Sequence, residues 1–155
     1  GMNRLDGLSP KFRARVEAAL DRMRLDAELR VAGVTDIIVV EGLRTLPVQM
    51  AYYTRGRMAP DDVRAMHQAA GLYRPGDDEA KRPVTWTLKS RHLDGKAVDL
   101  APTRDGKTIW WTAPDKVWNR MGLIGQSFGL AWGGTWPDRK RDSPHFEEAE
   151  ACRAA

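Results

Sequence analysis

The chain has 155 residues and an apolar fraction of 42%, enough for one ordinary core and too much for general disorder. Its apolar runs, such as residues 37–40, are far too short to cross a bilayer, and a single cysteine, Cys152, excludes an internal disulfide framework. The net charge of +4 and a pI near 9.5 suit an anionic partner, but the basic residues alternate with acids and apolars, which argues against nucleic acid.

Ser9-Pro10 has the form of a helix start, with a capping hydroxyl and a proline at the first helical position. Phe12, Val16, Leu20, Met23 and Ala27 then recur at helical spacing, so one amphipathic helix is expected over residues 10 to about 31. Gly33 is placed to stop it. TDIIVVEG is a β-branched run that predicts a buried strand ending at Gly42. Helices are expected over PVQMAYYTRG, capped by Thr45, and over PDDVRAMHQAAG. LYRPGDDEAKRP, polar and broken by prolines, predicts a loop.

Strands are expected at VTWT and KAVDLAP, then a helix over TAPDKVWNRMGLIGQSFG with Thr112 near its cap. In that helix Val117, Met121, Ile124 and Phe128 share a face. LAWGG and HFE are short strand candidates. Without regular βαβ alternation, the order favours an α+β domain with a small, mainly antiparallel sheet and flanking helices. One domain over residues 2–155 is expected.

The chemistry concentrates in two segments. A three-ligand zinc site uses nitrogen and oxygen donors and leaves a position for water. His92, Asp99 and His145 are candidate donors, with His67 as a spare expected on a helix surface. In SRHLDGKAVD, Gly95 permits a tight turn after His92, and the following strand turns Ala97 and Asp99 to one face and Val98 and Leu100 to the other. A carboxylate on a buried strand needs a partner. A metal is one such partner, and a salt bridge beside a capped turn is another.

In RDSPHFE, His145 and Glu147 share a face of a short strand. Asp142 is placed either to act as a general base or to cap the turn before Pro144, and Asp138 is a rival for the base. Glu147 is a candidate to accept the second N–H of a ligand histidine. In EGLRTLPVQ, Arg44 follows a strand and a glycine. It suits either a bidentate clamp on a substrate carboxylate or a structural ion pair, for example with Glu41.

Together these segments resemble the M15 family of zinc peptidases. The pattern S-x-H-x-x-G-x-A-x-D is complete as SRHLDGKAVD, D-x-P-H-F-E as DSPHFE and E-G-x-R-T-x-x-x-Q as EGLRTLPVQ. YYTRGR and AWGGTW are similar to further family segments, so the resemblance runs from about residue 37 to 148. It implies that His92, Asp99 and His145 bind one zinc ion and that Asp142 is the general base. It also implies that Arg44 polarises or anchors the substrate, with Gln49 in support. The implied fold is the small α+β domain shared with hedgehog signalling domains. Trp132 and Trp136, near the last ligand, are candidates to line the site.

The DSPHFE ending resembles the phage endolysin branch. It implies hydrolysis of the L-alanyl-D-glutamate bond in the peptidoglycan stem peptide. A D-alanyl-D-alanine carboxypeptidase or dipeptidase is the alternative, and a non-catalytic wall-binding module is a third reading. Thr135, where the family's endolysins often have an acid, and Asp94 and Lys96 around Gly95 depart from the pattern and bear on substrate preference. The N-terminal residues lack the apolar stretch of a signal peptide. A monomer is therefore expected to accumulate in the cytoplasm, insert in no membrane, and act on the wall after release.

Overall fold

The fold is given by a computed structural model, which describes residues 4–85 and 87–149. In chain order the elements are α1 (Pro10–Arg24), α2 (Ala27–Val31), β1 (Asp36–Glu41), α3 (Leu46–Thr54), α4 (Pro60–Ala69), α5 (Asp77–Lys81), β2 (Ala97–Thr103), α6 (Asp115–Ser127), β3 (Leu130–Trp132) and β4 (His145–Glu148). They fall into two compact units: one contains the chain up to Leu43 and from Asp94 onward, and the other is Arg44–Leu93.

The first unit is built on a four-stranded sheet in the order β1-β2-β4-β3, with every neighbouring pair antiparallel. This is the expected α+β architecture. Phe12, Val16, Leu20 and Met23 of α1 point into one core with Val98 and Leu100 of β2. Val117, Met121 and Ile124 of α6 are buried in the same core, and Phe128 packs against it. The two-residue period of β2 thus sends Val98 and Leu100 inward and leaves Asp99 half-buried on the other face. Gly95, just before β2, has φ 68°, and a Cβ there would lie 2.5 Å from the Gly7 carbonyl oxygen. Only glycine fits that turn.

The single long helix expected over residues 10–31 is two helices. α1 ends at Arg24, and Asp26 restarts the chain as the N-cap of α2, accepting from Leu29 N–H. Asp26 is almost fully buried and also accepts from both Nε and Nη2 of Arg120, at 3.0 and 2.8 Å. A buried carboxylate needs those partners, and the helix breaks to supply one of them. α6 starts at Asp115 behind Pro114 rather than beside Thr112.

In the second unit α4 packs with α3 and with α5. The segment expected to be a plain loop contains α5, opened by three acids in its first turn. Val84, Thr85 and Thr87 lie in no strand, a departure from the expectation, and Trp86 is outside the described residues. Their polar groups are engaged otherwise: the Gln49 amide donates to Thr85 Oγ1 at 3.1 Å and to the Thr87 carbonyl at 2.6 Å, and Arg57 donates to the Thr85 carbonyl. His67 is buried rather than on a helix surface. Its Nε2 accepts from Arg55 Nε at 2.9 Å, so its Nδ1–H donates to the Val63 carbonyl at 2.8 Å. Cys152 lies outside the described residues.

Candidate functional site

The sheet determines the site before any side chain is considered. In the β2–β4 register, Asp99 is directly opposite His145, and Ala97 is opposite Glu147. Cross-strand partners present their side chains on one face, a few ångströms apart. His145 Nδ1 lies 3.3 Å from Asp99 Oδ1 and 4.0 Å from Asp142 Oδ2. On the other side of the ring, Nε2 lies 2.9 Å from Glu147 Oε1. Glu147 thus takes up Nε2, which leaves Nδ1 turned toward Asp99.

The loop before β4 is fixed by close packing. Gly133 accepts from Asp142 N–H, and the Asp142 carbonyl accepts from His145 N–H. A Cβ on Gly133 would stand 2.3 Å from the Asp142 carbonyl oxygen and 3.1 Å from His145 Cβ. The Trp132 indole N–H donates to the Ser143 carbonyl at 2.7 Å, and its ring is buried. Trp132 thus holds the loop from below instead of offering a face to a substrate. The tryptophan beside the imidazole is Trp136, with ring centroids 4.9 Å apart.

Electrostatics follow from this arrangement. Burial disfavours the His145 imidazolium, but Asp99 and Glu147, with help from Asp142, outweigh it and push the pKa up to about 9. Charge is concentrated here on the acceptor side, which suits a cation.

His92 is buried in the short 3-10 turn Arg91–Asp94 that leads through Gly95 into β2. His92, Asp99 and His145 each offer one ligand atom, and these atoms lie within 4.8 Å of one another. Two imidazoles and a carboxylate are a zinc-type donor set, and ligand bonds of about 2.1 Å at tetrahedral angles separate donors by about 3.4 Å. The 3.3 Å between His145 Nδ1 and Asp99 Oδ1 already has that span. The residues fit the ion, which would take the place of the proton on Nδ1.

Arg44 and Gln49 belong to the second unit. Arg44 donates to Gln49 Oε1 and lies 4.9 Å from the Tyr52 ring centroid. Gln49 is fully buried, so its amide links Arg44 to the 85–87 segment. Asp138, the rival base, pairs with Arg141 at 2.5 Å and is largely exposed. Of the two tryptophans expected near the cleft, Trp136 is the one that meets the His145 ring.

Residues 84–148 match a peptidase M15 family model described as D-alanyl-D-alanine carboxypeptidase. No curated protein matches the chain. Among solved structures, the chain is similar to the L-Ala D-Glu endopeptidase ChiX of Serratia marcescens, with a TM-score of 0.57 and 23% identity over 98% of this chain and 88% of that one. It is also similar to VanYB in complex with D-alanine-D-alanine, with a TM-score of 0.53 and 21% identity over 95% of this chain and 74% of that one. A zinc-bound vancomycin resistance D,D-pentapeptidase VanY gives a TM-score of 0.50 and 18% identity over 96% and 78%. At these identities the likenesses show the fold.

Proposed function

We propose that this chain, a member of the M15 peptidase family, is a zinc-dependent hydrolase of the L-alanyl-D-glutamate bond in peptidoglycan stem peptides. The observation that carries the reading is the cross-strand pair Asp99–His145, with His92 completing a three-donor set. The choice of bond is supported by the ending DSPHFE and agrees with the bond named for the Serratia endopeptidase.

His92, Asp99 and His145 would hold the ion. Bound there, zinc would supply Lewis acidity and a water acidic enough to ionise near neutral pH. Glu147 keeps the His145 ring in the orientation that directs Nδ1 to the site. Asp142, with 46% of its side chain exposed, takes the proton of the attacking water at Oδ2 and returns it to the leaving amine. Arg44 is assigned the anchoring of a substrate carboxylate, held ready by Gln49 and Tyr52.

The second reading, cleavage of D-alanyl-D-alanine, is favoured by the description of the matched family model. Mass spectrometry of digested muropeptides separates the two. Release of the stem at its root supports the endopeptidase, and release of D-alanine supports the alternative. A protein that binds purified wall and releases neither product is a binding module. The proposal extends to location: the chain accumulates in the producing cell's cytoplasm and meets the wall after release, which fractionation of cells before and after lysis tests.

A further inference from the structure

A second feature of the sheet unit is not used by the hydrolytic site. After β2 the chain turns tightly through residues 103–109 and returns with two consecutive tryptophans. The turn is rigid: Asp105 Oδ1 accepts from Lys107 N–H at 2.8 Å and Thr108 N–H at 2.7 Å, while Thr103 Oγ1 donates to the Thr108 carbonyl at 2.6 Å. Trp110 N–H donates to the Pro102 carbonyl at 2.8 Å. These bonds engage Asp105 Oδ1, and the backbone donors of Thr108 and Lys107 hold the carboxyl pKa far below the usual range.

Trp111 stacks on the buried Trp118 with ring centroids 6.3 Å apart and planes 13° from parallel. One face of Trp111 is therefore supported, yet the residue is 54% exposed. Beside it Arg104 lies 4.3 Å from the Trp110 ring centroid. Arg104, Thr108, Trp110, Trp111 and Thr112 line a groove of about 520 Å³. Arg104 and Lys107 are exposed cations at this turn and outnumber its one acid, Asp105, which also lines the groove.

We propose that this groove binds the sugar strand of the wall polymer, with a pyranose ring stacked on Trp111. The inference rests on the peptidoglycan reading for the choice of sugar. The axial C–H groups of a pyranose present a weakly positive, apolar face that matches the negative face of an indole. Its hydroxyl and acetamido groups find Thr108, Thr112 and the Arg104 guanidinium at the rim. A strand that carries stem-peptide carboxylates is attracted by Arg104 and Lys107. The platform is already held in place, so little ordering opposes binding. Such a contact would let a catalytic unit stay on an insoluble polymer between cuts.

The test uses the full chain and the variants Trp111→Ala and Trp111→Phe, each checked by its urea unfolding midpoint. Tryptophan fluorescence is titrated with the tetrasaccharide of N-acetylglucosamine, and cleavage is timed on purified sacculi and on a free stem tetrapeptide. We expect saturable binding by the wild type and Trp111→Phe, and its loss in Trp111→Ala. Trp111→Ala should cut the free peptide at the wild-type rate and sacculi roughly tenfold more slowly, the order of one lost stacking contact. Equal rates on sacculi with no saccharide response in the wild type would overturn the proposal. So would sedimentation showing that Trp111 mediates self-association. If the wild type cleaves neither substrate, the peptidase reading fails, and the saccharide titration still decides this site.

Discussion

His145 Nε2 lies 2.9 Å from Glu147 Oε1, two residues further along the same strand. The pleat puts both on one face, so the strand itself supplies the partner that orients its own histidine. Glu147→Gln keeps the shape but weakens the acceptor. It should lower metal affinity about tenfold to a hundredfold, read by competition with a chromogenic chelator, and leave the fold intact. Unchanged affinity would remove Glu147 from the site.

Asp142 approaches His145 Nδ1 only to 4.0 Å and is half exposed. As a base it acts on water, not on the metal's attachment. Asp142→Asn should therefore lower kcat by about 10² to 10⁴ with metal content unchanged. The same change at Asp138, which is paired with Arg141 on the surface, should leave kcat within about twofold. The reverse outcome would transfer the role.

Gly133 admits the Asp142 carbonyl at a distance where a methyl group would collide with backbone. Gly133→Ala should displace the loop that carries Asp142 and His145. Activity should fall by about 10² even where thermal unfolding moves by only a few degrees, because a displacement of about 1 Å at a reacting group has that effect. Full activity in this variant would mean that the loop position does not matter.

Hydrogen bonds from Arg120 hold the Asp26 carboxyl below its ordinary value near 3.8, against the opposing effect of burial, and Leu29 N–H adds to the shift. The folded pKa is depressed, so the stabilisation is complete above the unfolded value and is lost as pH falls through the folded one. Urea midpoints should drop as pH falls below about 4 in the wild type. Asp26→Asn should flatten that slope and lower stability at pH 7 by about 3 kcal/mol, as for other broken buried pairs. An unaltered acid slope would contradict this.

What could be read from the sequence was mostly what depends on local period. The alternation in KAVDL sets Asp99 on the face opposite Val98 and Leu100, that in HFE sets His145 beside Glu147, and α1 and α6 turn their apolar rows inward as their spacing requires; that Asp99 meets His145 depends on the strand register. Features that depend on a distant partner could not be read. Asp26 breaks the first helix because Arg120, far along the chain, meets it. His67 is buried because Arg55 donates to it. VTWT has strand composition, but the Gln49 amide binds its backbone instead of a neighbouring strand. Trp132 and Trp136 were indistinguishable as candidates, and only packing shows that one supports the loop while the other touches the imidazole.

The peptidase reading requires that His92, Asp99 and His145 hold one zinc ion between them. The most direct measurement is zinc content by mass spectrometry together with muropeptide hydrolysis, on the wild type and on Asp99→Ala. About one zinc per chain and cleavage at the stem are expected in the wild type, and loss of both in the variant. Chelation should abolish activity, and added zinc should restore it. Undiminished hydrolysis by metal-free protein, or by Asp99→Ala, would contradict it.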